Sequence, residues 1–347
     1  MSLDPVTLEH ARRCKRFFVW AERFFRWTPV ALHPRAARWV AGAFSPSERD
    51  WAALGASMQW ALKLTDAQAQ QALDRWLANQ GAWGLDLHNY AHLPPEWTQS
   101  VHCTSRGLLG ELVAQGGLVL SAHSQHHNRL GAFLGDSGVP VWGVAGPEEG
   151  SPYQPWTGRY VRLINGGSEA RFGGGRYVFT DNLRGLVRDC RHAFERGHAV
   201  VSVSDVPLGS PQSVGVSIFG RELPVATALI DLALSAGAPI WAAIMVSDLE
   251  GGHTVRMVRL TAIDTPAVVR AYGAVLEGWL REEPWFWQGW AWWLNLPALD
   301  PEVSGTPIEI AERLEHFMQA RPVASRGTRW LRRIGAWQER VAPLMRP

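Results

Sequence analysis

The sequence predicts an α/β fold, a mainly parallel central sheet flanked by helices, with a helical N-terminal region ahead of it. Three observations lead there. Short apolar runs near 117–122, 139–145, 199–204, 214–219, 239–246 and 253–260 have the length and β-branched character of buried strands. Helical periodicity occupies 105–115, 126–136, 181–196, 225–236 and 266–282. Strands alternating with helices imply βαβ units, because parallel neighbours need a long crossover between them.

Taken in chain order, residues 1–95 read as helical. Pro5 to Trp27 interleaves Phe17, Phe18, Trp20, Phe24 and Phe25 with Arg12, Arg13, Lys15, Arg16 and Arg23. Such a segment suits either an interfacial membrane helix or a helix packed on the α/β domain. Ser47-Glu48-Arg49-Asp50 and Thr65-Asp66-Ala67-Gln68 have the spacing of capping boxes, and Gly81 is placed to close the second helix. Leu93-Pro94-Pro95 breaks the pattern and marks the boundary of an α/β domain over 96–300. Within it, Gly146 to Gly175 is a long Gly-, Pro- and Arg-rich loop, of the length that is usually functional or mobile. Its Gly173-Gly174-Gly175 run is no phosphate loop, since no helix with Lys-Ser/Thr follows. Helical signals return at 306–320 and 325–342 as C-terminal helices over 301–347, expected to pack on the domain.

Composition narrows the function. The formal charge is only +2, which argues against a nucleic-acid partner. No apolar run reaches the roughly 18 residues of a membrane span, and the N-terminus lacks a signal-peptide core. The expectation is a cytoplasmic protein, with peripheral contact at the inner membrane left open by the Pro5–Trp27 segment. Cys14, Cys103 and Cys190 are widely spaced and odd in number, so reduced packing cysteines are expected rather than a disulfide framework. Nineteen tryptophans suit a protein with a large apolar core or an apolar ligand.

The chemistry concentrates in Gly117-Leu118-Val119-Leu120-Ser121-Ala122-His123-Ser124-Gln125-His126-His127-Asn128. A buried strand ends at a histidine, and a helix begins just after it. Open α/β sheets bind ligands beyond the carboxyl ends of their strands. A histidine there has the right intrinsic pKa to take a proton from a hydroxyl or an amine. His123, His126 and His127 also raise a metal site. The strand-to-helix turn and the lack of an HExxH pattern weigh against it, so no metal and no cofactor are expected.

This strand–His–x4–polar arrangement resembles the HX4D/E motif of the glycerolipid acyltransferase superfamily, and most of all its bacterial lipid A late-acyltransferase branch. Three further blocks agree in order. They are Gly197-His198-Ala199-Val200-Val201-Ser202-Val203-Ser204-Asp205-Val206-Pro207-Leu208-Gly209, the stretch Phe219-Gly220 to Pro224 with Ala226-Thr227-Ala228, and Glu283-Pro284-Trp285-Phe286-Trp287. The chain departs from the family in three ways. Asn128 stands where the family has a carboxylate, Gln288-Gly289-Trp290 follows the late Trp instead of His-Arg, and the N-terminal span is missing.

The resemblance implies acyl transfer from an acyl carrier protein or coenzyme A thioester to a hydroxyl or amine of a lipid or secondary-metabolite acceptor. It implies His123 as general base, Asn128 as its orienting partner and Asp205 as support. Arg171, with Arg159 as a rival, would stabilise the oxyanion or the donor. Ser124, His126, His127, Gly209 and Trp287 would line the substrate site. Arg184 and Arg188, one helical turn apart, could meet an acidic carrier, though a solvated helix face explains them as well. Because Asn128 brings no negative charge, two other functions stay open: a non-catalytic binder on a degenerate acyltransferase fold, and a thioester hydrolase.

Overall fold

The computed structural model describes residues 48–89, 97–146, 165–205, 212–248 and 252–299. The expectations for Pro5–Trp27, Cys14, Arg159, Gly209, the 93–95 boundary and the C-terminal helices lie outside these residues.

Two helices come first, α1 (Glu48–Leu62) and α2 (Asp66–Asn89). The Thr65–Gln68 capping box is formed. The Thr65 backbone N–H donates to Gln68 Oε1 at 2.9 Å, and the Gln68 N–H reaches back to Thr65 Oγ1 at 3.4 Å. Gly81 does not end α2, which runs on to Asn89. After a helical turn at Trp97–Ser100, the chain alternates through β1 (Val101–Cys103), α3 (Arg106–Gln115), β2 (Gly117–Ser121), α4 (His127–Asp136), β3 (Val141–Ala145) and β4 (Arg176–Phe179). It continues through α5 (Leu183–Glu195), β5 (Ala199–Val203), β6 (Ser213–Ile218), β7 (Arg221–Ala226), α6 (Ala228–Ser235), β8 (Ile240–Ser247), β9 (His253–Leu260) and α7 (Thr265–Glu282). Two helical turns, Pro284–Phe286 and Trp290–Trp293, follow.

Seven strands form the central sheet in the order β1-β9-β8-β2-β5-β3-β4. From β8 to β4 all neighbours are parallel, while β9 runs against β8 and carries β1 with it. The mainly parallel sheet flanked by helices is therefore as expected, with two refinements. The strands β1 and β4 are too short, or too mixed in polarity, to stand out as apolar runs. The run near 214–219 does not enter the sheet; it pairs with β7 in a separate antiparallel hairpin. That hairpin takes residues 225 and 226 into β7, so α6 begins at Ala228 rather than 225.

β2 and β8 are buried along their whole length, as the central strands of a doubly covered parallel sheet must be. One apolar layer, around Leu112, Leu130, Phe133, Phe172 and Trp241, fills one side of the sheet. The larger layer includes Leu118, Ile218, Tyr272, Trp287, Trp290 and Trp293, and takes in Leu54, Met58 and Trp76 from α1 and α2. Indole and hydroxyl groups join these helices to the tryptophan segment. Trp76 Nε1 donates to the Trp287 carbonyl at 2.9 Å, and Ser57 Oγ donates to the Trp290 carbonyl at 3.0 Å. Cys103 and Cys190 are buried free thiols within this packing.

Candidate active site

The site is built by strand register. β2 and β5 are parallel neighbours in which Gly117 lies beside Ala199 and Ser121 beside Val203. Continuing both chains two residues past those ends sets His123 beside Asp205, 82 positions apart, like every pair in the ladder. Adjacent strands lie about 4.8 Å apart, close enough for two short side chains on one face to bond. The ladder itself carries on past the strand end, since the Ser204 N–H donates to the Ser121 carbonyl at 2.9 Å. Tyr272 Oη donates to the same carbonyl at 2.8 Å and fixes the end of β2 from the helical layer.

Asp205 is fully buried and His123 keeps a quarter of its side chain exposed; His123 Nδ1 stands 2.6 Å from Asp205 Oδ1. Asp205 Oδ2 accepts from the His123 backbone N–H at 2.8 Å and from Trp287 Nε1 at 2.5 Å. Burial alone would push the Asp205 carboxyl up. The attraction of the neighbouring His123 ring and the hydrogen bonds from His123 and Trp287 outweigh burial and hold it below the usual carboxylate range. An ionised carboxylate can only accept, so Nδ1 carries a proton, and in the neutral ring Nε2 is left with the lone pair.

A second strand-like contact holds the turn in place. Ser124 and Trp287 form an antiparallel bridge, with the Gln288 N–H donating to the His123 carbonyl at 2.8 Å. Gln125 Nε2 donates to the Trp285 carbonyl at 3.1 Å. Gly289 makes the tight return possible, since a Cβ there would lie 2.0 Å from the Trp287 ring. The half-buried Trp292 ring is thereby brought edge-on to His123, with centroids 6.0 Å apart.

His127 stands on the other flank of His123, with ring centroids 5.3 Å apart. Its Nδ1 lies 2.7 Å from the Ser124 carbonyl, which can only accept, so this ring too is an Nδ1–H tautomer. Burial, then the neighbouring His123, lowers its pKa to about 4 and keeps it neutral. His126 turns away into the buried layer, edge-on to His253 at 5.1 Å. Arg129 reaches the same ring through a contact of 3.0 Å to His253 Nε2. Ser124, one of the two bridge residues, is wholly buried.

Two sequence expectations are corrected. The partner of His123 is Asp205 rather than Asn128. Asn128 lies half-buried in the first turn of α4, and among the described residues no hydrogen bond joins it to His123. The physical reason is the parallel pairing of β2 with β5, which delivers a charged acceptor to the His123 ring laterally. Arg171 is not at the site either. It pairs with Asp136 through Nε at 2.9 Å and Nη2 at 2.5 Å, at the far end of the ten-residue α4. At about 1.5 Å per residue, that is roughly 15 Å from the turn that follows His123. The segment is pressed against α4 there, since a Cβ on Gly135 would lie 2.0 Å from the Arg171 carbonyl oxygen. Arg184 and Arg188 lie on the exposed face of α5, where Arg188 pairs with Asp189.

Sequence reasoning placed Asp205 at a strand end and Trp287 near the site without joining either to His123. The signal was present: His123 and Asp205 each follow directly on an apolar run, 117–122 and 199–204. Nothing in the sequence sets Trp292 apart from the tryptophans around it. Trp287, Trp290 and Trp293 are in fact fully buried packing residues.

No protein-family model matches the chain, and no curated protein matches it. Among the described residues no helix is long and apolar enough to cross a membrane.

Proposed function

We propose that the chain is an acyltransferase that moves an acyl group from a carrier-protein or coenzyme A thioester to a hydroxyl or amine. The observation that carries the reading is the His123 ring tethered at Nδ1 by a buried carboxylate and partly open to solvent at the carboxyl end of the sheet. Such a ring has a fixed tautomer and a free Nε2, and the buried charge of Asp205 stabilises the imidazolium formed when Nε2 takes a proton. In this reading the acceptor O–H or N–H gives its proton to Nε2 as it attacks the thioester carbon. The proton then passes to the departing thiolate. Asp205 takes the orienting part that the HX4D/E resemblance assigns to position 128. His127 and Trp292 flank the reacting ring, and Trp287 holds Asp205 in place. The binder alternative drew its support from the missing charge at Asn128, and the buried carboxylate of Asp205 beside His123 favours the catalytic reading over it. The acyl donor itself rests on the motif resemblance.

The test is intact-mass detection of transfer. Full-length protein is incubated with acetyl, octanoyl, lauroyl and palmitoyl thioesters of coenzyme A and of an acyl carrier protein, with a lysate of its own cell as acceptor source. The expected result is loss of acyl from one donor and a new acylated product, both absent with His123→Ala. Release of free acid without an acylated product would point to a hydrolase. Equal background turnover in wild type and variant would refute the proposal.

A further inference from the structure

The outward groups of the two site histidines are both acceptors. His123 and His127 each spend Nδ1–H on an oxygen, which leaves two Nε2 lone pairs. Asp205 is an anion, and the whole of Ser124 is sealed from solvent. Acyl transfer also needs donors, because negative charge develops on the thioester carbonyl oxygen as the acceptor attacks. Of the two cations that the motif resemblance offers for this, Arg171 is bound to Asp136 at the other end of α4, and Arg159 lies outside the described residues.

Trp292 meets this need. Its Nε1–H is shielded from solvent and has no hydrogen-bond partner, while its ring stands 6.0 Å from His123 at an interplanar angle of 86°. Its neighbours behave differently. Trp287 Nε1 donates to Asp205, Trp290 Nε1 to the Pro284 carbonyl at 2.7 Å, and Trp293 Nε1 to the Ile218 carbonyl at 3.0 Å. An indole N–H buried without a partner is destabilising. A phenylalanine would fill much the same space without that cost.

We infer that Trp292 Nε1–H is the donor that receives the acyl carbonyl oxygen and stabilises the oxyanion. This deepens the proposed function and rests on it. In the step, the acceptor heteroatom bonds to the thioester carbon, the C=O electron pair moves onto oxygen opposite Trp292, and the proton goes to His123 Nε2. On collapse the C=O re-forms, the C–S bond breaks and the thiolate leaves with the proton from Nε2. A donor held out of water contributes more than one in solvent, and removing a single oxyanion donor typically lowers turnover by about 10²–10³-fold.

The test is Trp292→Phe in the full chain, beside His123→Ala, assayed on the thioester and acceptor pair that the transfer screen identifies. The expected result is a fall in kcat of about 10²–10³-fold with KM little changed, at unchanged or slightly raised melting temperature. A residue serving only in packing gives the opposite pattern, lower stability with kcat retained per folded molecule. In a spectrum of the protein labelled with indole ¹⁵N, the resonance lost in Trp292→Phe marks this N–H. It should shift downfield when the same donor thioester is added. Unchanged kcat in Trp292→Phe, with turnover abolished in His123→Ala, overturns this inference and leaves the acyltransferase reading standing. Unchanged turnover in His123→Ala, or no turnover with any donor in the panel, overturns both.

Discussion

The two ends of α4 each carry a short ion pair, and they have opposite characters. At the C-terminal end Arg171 meets Asp136, with side chains 14% and 21% exposed. At the N-terminal end His123 meets Asp205, with 25% of the imidazole open and none of the carboxylate. The guanidinium keeps its charge at every relevant pH and both partners touch water, so the first pair is a clamp that ties the 165–172 segment to the helix. In the second pair the titratable partner faces solvent and the fixed charge is sealed inside. Sealing a carboxylate is costly unless every lone pair is used, and Asp205 uses its oxygens on three donors. A pair arranged for stability alone gains little from leaving the imidazole open. Openness on the proton-accepting side is what the proposed chemistry requires of the His123–Asp205 pair and a clamp does not need.

The comparison predicts a graded set of responses. Asp205→Asn keeps the shape but removes the buried charge and can turn the ring to the wrong tautomer. Turnover on the acyl-transfer pair should fall by about 10³-fold or more, read as kcat, with the fold retained by circular dichroism. Equal activity in Asp205→Asn and wild type would make the two ends of α4 alike, both structural. Asn128→Ala should by contrast change kcat by less than about threefold; a loss comparable to that of Asp205→Asn would return the orienting role to position 128.

Acid stability provides the next contrast. The folded protein lowers the pKa of His127 from 6.5 to about 4, so the unfolded chain binds the extra proton between those values. Stability from this group is present above pH 6.5 and is lost as the pH falls through the window toward 4. Asp205, also lowered, acts in the same direction, but only below the ordinary carboxylate range near 3.8. Urea unfolding of His127→Gln between pH 7 and pH 4 should show a flatter pH slope than wild type, and an unchanged slope would remove His127 as the cause. The smallest effect is expected at the clamp. Arg171→Ala should cost about 1 kcal/mol in urea unfolding and leave kcat unchanged. A large loss of kcat with unchanged stability would place Arg171 in the chemistry after all.

Much of the fold was legible because local rules decide it. The apolar runs at 117–122 and 239–246 matched β2 and β8 closely, and the Thr65–Gln68 box opened α2 where expected. The hairpin was not legible, because Arg221–Ala226 alternates too weakly and its partner strand alone could have joined any sheet. Gly81 misled as a helix stop, because an isolated glycine inside a helix costs only about 1 kcal/mol and neighbouring turns can carry it. Of the site, His123 was legible as a histidine at a strand end, and Trp287 as part of an aromatic block. Their connection through Asp205 was not.

By itself the sequence determined that a buried strand ends in His123, that α4 starts a few residues later, and that strands and helices alternate around them. Periodicity, capping and turn chemistry act over a few residues and are written locally. Only the tertiary structure decided which carboxylate meets the imidazole, which arginine is spent elsewhere, and which indole N–H is left without a partner. Those choices depend on the register between strands 82 residues apart and on the return of the 284–293 segment over the sheet. A one-residue slip in that register would turn Asp205 to the other face. The pairing of His123 with Asp205 is therefore a property of packing.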